Sequence, residues 1–179
     1  MKWACAVVLG LTVVVVTGTA GAQETGIPQV RATAFSGDAV ILPDGLKGRT
    51  GVLVIGFSQA SRAEVTSWGK RLAAEYRSDP TVLYYEMPVL ASVPRLMRGF
   101  VLDRIKADVP ERARPRFVPI LTDEGDWKRV VQFRRPDDAY VLVVDSKGSI
   151  RLREQGPPSD ASYQEIRNAI ETSRSTGTR

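Results

Sequence analysis

Two residue types that carry most redox and acid–base chemistry are almost missing from this chain of 179 residues. It has no histidine, and Cys5 is its only cysteine. Without histidine, Ser-His-Asp triads, histidine relays and imidazole metal sites are excluded. With one cysteine, the chain cannot form an internal disulfide or a pair of reactive thiols. Composition alone therefore removes several large classes of enzyme.

The first 22 residues have the pattern of a secretory signal peptide. Lys2 supplies a positive charge, residues 4–16 form an apolar run, and Ala20-Gly21-Ala22 is a small-x-small cleavage site. The apolar run is shorter than the about 20 residues that span a membrane. We therefore expect an exported protein, periplasmic or extracellular after cleavage, whose mature chain has no cysteine. An uncleaved N-terminal anchor is the alternative.

Short apolar runs alternate with helical periodicity along the rest of the chain. Residues 52–57 and 140–144 are continuously apolar, as in strands that are covered on both faces. Ser61 and Glu64 match a capping box at the start of a helix. The predicted strands lie at 39–43, 52–57, 81–87, 140–144 and 149–153, and the predicted helices at 61–77, from Ser92 onward, and from Ser159 or Asp160 to about residue 171.

The remaining segments are predicted to be irregular. Residues 23–34 read as an irregular lead-in to a domain at 35–171, and residues 172–179 as a flexible tail. The proline- and arginine-rich stretch 110–119 is predicted to be a loop. The pattern at 126–133 fits a short helix or an extended segment equally well.

This order of elements and several motifs resemble thioredoxin-like proteins of the exported redoxin type. Leu46-Lys47-Gly48-Arg49 is similar to the lead-in of the first core strand, and residues 143–151 are similar to the family's strand–turn–strand. The resemblance implies an α/β fold with a central mixed β-sheet flanked by helices. It also implies a Cys-x-x-Cys after the first core strand, where this chain has Ser58-Gln59-Ala60-Ser61. The family's cis-proline is expected near Ala139, but the nearest proline is Pro136.

The loss of both features implies a redox-inactive member of that superfamily. The cysteine-free corner, the basic helix after Tyr84-Tyr85 and residues 136–145 look most like relatives of the mitochondrial ATP synthase assembly factor.

The first candidate site is the vestigial active-site corner, formed by Ser58, Ser61 and Arg62. Free backbone N–H groups at the start of a helix, helped by an arginine, can hold an anion or a partner's carboxylate. The competing interpretation is that Ser61 only caps the helix. A serine nucleophile needs a neighbouring base, and without histidine only a lysine or a carboxylate could serve.

The second candidate is a basic patch that would contact a partner. Its helix has an apolar stripe that includes Met97 and Phe100, so it could lie on anionic lipid or dock on a membrane protein. The competing interpretation is a core-packed helix with a solvated arginine face. The predicted contact residues are Arg95, Arg98, Arg112, Arg114 and Arg116.

No catalytic, cofactor-binding or metal-binding residue is predicted. The acidic residues Asp123, Glu124, Asp126, Asp137 and Asp138 match no calcium loop, so turn and cap roles are expected for them. The formal net charge of +5 is too small for a nucleic-acid-binding signature but permits weak contact with an anionic membrane surface.

The leading hypothesis is an exported thioredoxin-fold protein that acts by binding a protein partner. That partner would be a membrane protein, and the chain an assembly or chaperone-like factor for an envelope membrane complex. Two alternatives stay open at this point. One is a thiol-independent enzyme or redox-partner protein that uses the Ser58–Ser61 corner, and the other is a structural envelope protein.

Overall fold

The computed structural model describes residues 26–177, so the predicted signal peptide and Cys5 lie outside the described residues. Within this range no helix is long and apolar enough to cross a membrane. The strands are β1 Val30–Thr33, β2 Ala39–Leu42, β3 Thr50–Gly56, β4 Val82–Pro88, β5 Tyr140–Val144 and β6 Ile150–Gln155; the α-helices are α1 Arg62–Tyr76, α2 Arg95–Asp108, α3 Glu124–Val130 and α4 Asp160–Gly177; and 3-10 helices form at Asp44–Leu46 and Glu111–Arg116.

Four strands form a mixed central sheet in the order β4-β3-β5-β6. Strand β3 pairs in parallel with β4, to which α1 connects it, and antiparallel with β5. All seven residues of β3 are buried, which agrees with its unbroken apolar sequence. Strands β1 and β2 form a separate antiparallel pair. The segment that follows α2 runs along the outer edge of β4, where Phe117 bridges Glu86 and Ile120 bridges Val89.

The two faces of the sheet support two hydrophobic clusters, because successive side chains of a strand point to opposite sides. Leu53 and Ile55 face the β1–β2 pair and the buried Trp127 of α3. Val52 and Val54 face α1 and α4, where Trp68 is fully buried. The indole nitrogen of Trp68 donates a hydrogen bond of 2.8 Å to the carbonyl of Gly156, which ties α1 to the loop before α4.

The strands and long helices predicted from periodicity are confirmed to within a few residues at their ends. Four predictions at the boundaries are wrong. Residues 30–33 form β1 rather than an irregular lead-in, because Val30 is buried and the segment pairs with β2. Helix α4 continues to Gly177, with the Ser173 side chain buried, so most of the predicted tail is helical.

The other two corrections concern the proline-rich stretch and the start of α1. Residues 111–116 form a 3-10 helix around Pro115, where a loop was expected. The predicted capping box does not form: Glu64 instead accepts a hydrogen bond of 2.8 Å from the Ala139 backbone N–H. The segment 126–133 is helical as far as Val130, where α3 ends, and residues 131–133 lie beyond the helix. At α4, Ser159 is the capping residue, since its hydroxyl oxygen accepts a hydrogen bond from the Ser162 N–H at 3.0 Å.

Candidate functional site

The serine corner between β3 and α1 is closed by its own hydrogen bonds. The hydroxyl oxygen of Ser58 accepts bonds from the N–H groups of Ala60 and Ser61, at 3.1 and 3.2 Å. The Ser61 hydroxyl donates to the Ser58 carbonyl at 2.9 Å. Ser58 also lies 3.4 Å from a carboxylate oxygen of Asp137 across the corner. Ser58, rather than Ser61, therefore satisfies the free N–H groups ahead of α1.

Close packing leaves no access to the Ser61 hydroxyl. Ser61 is 1% exposed, and a Cβ atom added at Gly56 would lie 2.7 Å from its oxygen. The side chain of Arg62 turns away from the corner and forms an ion pair of 2.9 Å with Asp108 at the end of α2. The three corner residues thus do not converge on an open site. Ala139, opposite the corner, is fully buried, and its N–H is already bonded to Glu64.

An aromatic cluster packs next to the serine corner. Phe57, which ends the β3 run, meets Phe133 at 5.1 Å and Tyr140 at 5.7 Å between ring centroids. The amino group of Lys128 lies 4.8 Å from the Phe133 ring centroid. The Tyr140 hydroxyl accepts from the N–H groups of Arg134 and Arg135, which fixes the turn that carries Asp137. The corner is therefore a packed structural element.

The structure divides the five predicted contact arginines between two regions. Arg95 and Arg98 lie at the start of α2, whereas Arg112, Arg114 and Arg116 belong to the following 3-10 helix. The 14 residues of α2 separate these regions by about 20 Å along the helix axis. Arg98 donates to the carbonyls of Ala91 and Val93, at 2.8 and 2.9 Å, and so anchors the start of the helix.

Helix α2 has no fully buried residue, so its interpretation as a core-packed helix holds for one side alone. Only its side with Leu102 and Ile105 packs, against a small cluster around Phe35, Val109 and Phe117. The opposite side carries Leu96, Met97 and Phe100, which are 101%, 54% and 66% exposed. Helical spacing places these three side chains on one face, with Arg104 one turn further along. We call Leu96, Met97 and Phe100 the α2 apolar face.

A buried carboxyl group that sequence inspection missed lies on the edge strand β4. Glu86 is 9% exposed, and burial raises its pKa to about 7. It lines a cavity of about 260 Å³ between α1, β4 and residues 108–117. The signal was present in the sequence: Glu86 interrupts the apolar alternation of Val82 and Tyr84 on the face that meets α1.

The acidic residues set aside as turn and cap groups do not converge. Glu124 bonds Lys128 at 2.7 Å within α3, and this bond helps to hold the pKa of Glu124 below its usual value. Asp138 accepts from Gln155 at 2.6 Å. Across residues 26–177, no group of three or more acidic, cysteine or histidine side chains is placed to hold a metal ion.

Comparison with solved structures defines the fold. A protein of Geobacillus kaustophilus superposes with a TM-score of 0.61 at 15% identity, over 85% of this chain and 82% of its own. The exposed lipoprotein thioredoxin Etrx1 of Streptococcus pneumoniae gives a TM-score of 0.56 at 16% identity, over 79% and 99% of the two chains. BsSco, a member of the Sco family of cytochrome c oxidase assembly proteins, gives 0.55 at 14%, over 82% and 94%.

No family model and no curated protein matches the sequence. The structural matches establish an α/β thioredoxin-like fold with a mixed central sheet flanked by helices, as the resemblance implied. Because all three identities lie far below 25%, these matches describe the scaffold only. On this scaffold the described residues contain no Cys-x-x-Cys pair.

Proposed function

We propose that this chain is an exported, redox-inactive thioredoxin-fold protein that acts by binding a protein partner. The observation that carries the proposal is the α2 apolar face, because contiguous exposed apolar side chains on a folded domain mark an interaction surface. The neighbouring cations Arg95 and Arg104 favour a partner whose apolar groove is bordered by acidic residues.

An assembly or chaperone-like role for an envelope membrane complex is the form of this function that we favour. The signal-like pattern of the first 22 residues supports export to the envelope. BsSco, which has the same fold, belongs to a family of cytochrome c oxidase assembly proteins. The sequence resemblance to relatives of the mitochondrial ATP synthase assembly factor supports the same kind of role. Fold-level likeness is weak support for function, so the α2 apolar face bears the main weight.

The geometry does not favour the alternatives. An enzyme at the serine corner would need an accessible hydroxyl, but the Ser61 hydroxyl is buried and bonded to the Ser58 carbonyl. A purely structural envelope protein would be expected to have an evenly polar surface. Leu96, whose side chain is fully exposed, does not fit that expectation.

The test is photo-crosslinking in the envelope from positions 96 and 100, with position 41 as the matched control. Ile41 is also an exposed apolar residue, 37% exposed, but it lies on β2. We expect one membrane protein to be captured from α2 and not from β2. The purified partner should then bind the chain, and the triple variant L96S/M97S/F100S should lose that binding while its thermal unfolding is unchanged.

Two results would overturn the proposal. Equal capture from position 41 would show non-specific contact. The second result is that no purified partner binds, while the native chain floats with vesicles of phosphatidylglycerol and phosphatidylcholine and the triple variant does not. The α2 apolar face would then bind a lipid surface instead of a protein.

A further inference from the structure

Glu86 occupies a position where the sheet requires an apolar side chain. It lies on the same face of β4 as Val82 and Tyr84, which belong to the cluster under α1 and α4. Its backbone is engaged as expected, since the Val118 N–H donates to the Glu86 carbonyl at 2.8 Å. Its carboxylate has no hydrogen bond or ion pair with any residue of the described chain. A buried carboxylate without a partner is costly and calls for an explanation.

Small residues around this carboxylate keep the space in front of it open. A Cβ atom at Gly69 of α1 would lie 2.2 Å from a carboxylate oxygen of Glu86, so glycine is the residue that accommodates the group. Ala73 of α1 and Ala113 of the 3-10 helix line the same cavity, as do the rings of Tyr84 and Phe117. A volume of about 260 Å³ is close to the lower limit of cavities that hold a small molecule.

Cationic side chains surround the mouth of the cavity without reaching its floor. Arg62 is paired with Asp108, and the Arg116 guanidinium lies 5.0 Å from the Tyr84 ring centroid. Lys70, Arg77 and Arg112 also line the cavity and form no ion pair within residues 26–177. The floor is therefore acidic, the walls are mostly apolar, and the rim is basic.

We propose that this cavity is a binding site for a small molecule that carries an amino group at its buried end and a carboxylate at its outer end. The amino group would donate hydrogen bonds to Glu86, and the carboxylate would meet Arg112 and Arg116 at the rim. The proposal is independent of the α2 apolar face, which lines no part of this cavity.

Simpler ligands satisfy only one end of the site. A plain carboxylate would be attracted by the rim but would leave Glu86 without a donor. A plain amine would pair with Glu86 but would have to pass a rim of like charge. A ligand with both groups, separated by an apolar chain that contacts Ala73 and Phe117, matches all three zones of the cavity.

The experiment is a titration of the ¹⁵N-labelled protein with 4-aminobutanoate, 5-aminopentanoate and 6-aminohexanoate, followed through backbone amide shifts. Pentanoate and pentylamine are the matched probes that lack one end group. We expect saturable shifts at Gly69, Glu86 and Ala113 with at least one amino acid of the series. Each single-ended probe should bind about tenfold more weakly or worse, which is the loss of one hydrogen-bonded ion pair.

Variants separate the floor from general charge effects. Glu86→Gln should weaken binding of the best probe by about tenfold, whereas Glu165→Gln, an exposed site on α4, should leave it unchanged. Arg112→Gln should weaken binding of the amino acid but not of pentylamine. Absence of saturable shifts with the whole series, or equal affinity in the Glu86→Gln variant, would overturn the proposal.

Discussion

Replacing Glu86 with glutamine should remove a strong pH dependence from the stability of this fold. Burial raises the pKa of Glu86 from the ordinary 4.5 to about 7 in the folded chain. The unfolded chain binds fewer protons at this group over that interval, so the free energy of unfolding falls as the pH rises. The stabilising contribution is complete below pH 4.5 and is lost as the pH rises through about 7.

The magnitude follows from the two pKa values. A difference between 4.5 and about 7 corresponds to about 3 kcal/mol between pH 4 and pH 8. This is a large share of the stability of a single domain, which is about 5–15 kcal/mol. Glutamine keeps the shape and the hydrogen-bonding capacity of the side chain but has no proton to lose in this range. The variant should equal the native chain near pH 4 and exceed it by about 3 kcal/mol at pH 8.

The assay is urea unfolding of both proteins between pH 4 and pH 8, followed by tryptophan fluorescence. Trp68 and Trp127 are fully buried on opposite faces of the sheet, so both clusters report on the transition. Other acidic groups titrate equally in the two proteins and cancel in the difference. Parallel stability curves would refute the reasoning, because they would mean that Arg62, Lys70, Arg112 or Arg116 reaches the carboxylate and stabilises its charged form.

Two further substitutions test the packing around the same sheet. In a Glu86→Ala background, Gly69→Ala should stabilise the fold by about 1 kcal/mol, because alanine favours the helix over glycine. In the native chain that gain should be lost, since the new Cβ atom would lie 2.2 Å from the Glu86 carboxylate. A double-mutant cycle followed by urea unfolding measures this coupling. Asp145→Asn should cost about 2 kcal/mol at pH 7, because the buried carboxylate accepts bonds from the Lys147 and Ser149 N–H groups and from Arg151. Burial raises the pKa of Asp145, but the hydrogen bonds and Arg151 lower it by more, so the pKa lies below its ordinary value of 3.8. The difference in stability between the native chain and the asparagine variant should therefore disappear as the pH falls below 3.8. A variant as stable as the native chain at pH 7 would contradict this account.

The sequence was sufficient for the core of the fold because that core has a strong periodic signal. The continuous apolar run of β3 and the spacing of Val65, Trp68 and Leu72 in α1 permit few arrangements. The edges were harder. Strand β1 is a four-residue segment stabilised mainly by pairing with β2, and the 3-10 helix at 111–116 forms around a proline that usually indicates a loop.

The candidate sites were less predictable because they depend on which groups meet in space. The sequence pattern predicts Ser61 as the cap, but it is the Ser58 hydroxyl that accepts the N–H groups of Ala60 and Ser61, while the Ser61 hydroxyl donates to the Ser58 carbonyl. The apolar stripe of α2 was recognised, but periodicity cannot tell whether a stripe packs on the core or faces solvent. Glu86 interrupts the apolar alternation of its predicted strand, but only the position of α1 over that face shows that its carboxyl group is buried.

Helix α1 connects these observations. At its start, where thioredoxin-like proteins have their cysteines, hydrogen bonds between Ser58 and Ser61 close the surface. About two turns further, roughly 10 Å along the axis, the small residues Gly69 and Ala73 leave space above Glu86. A glycine in the middle of a helix costs about 1 kcal/mol relative to alanine, so the opening is maintained against local helix stability. The cavity beside this helix therefore lies above the edge strand β4, whereas the corner at the start of the helix is closed by hydrogen bonds.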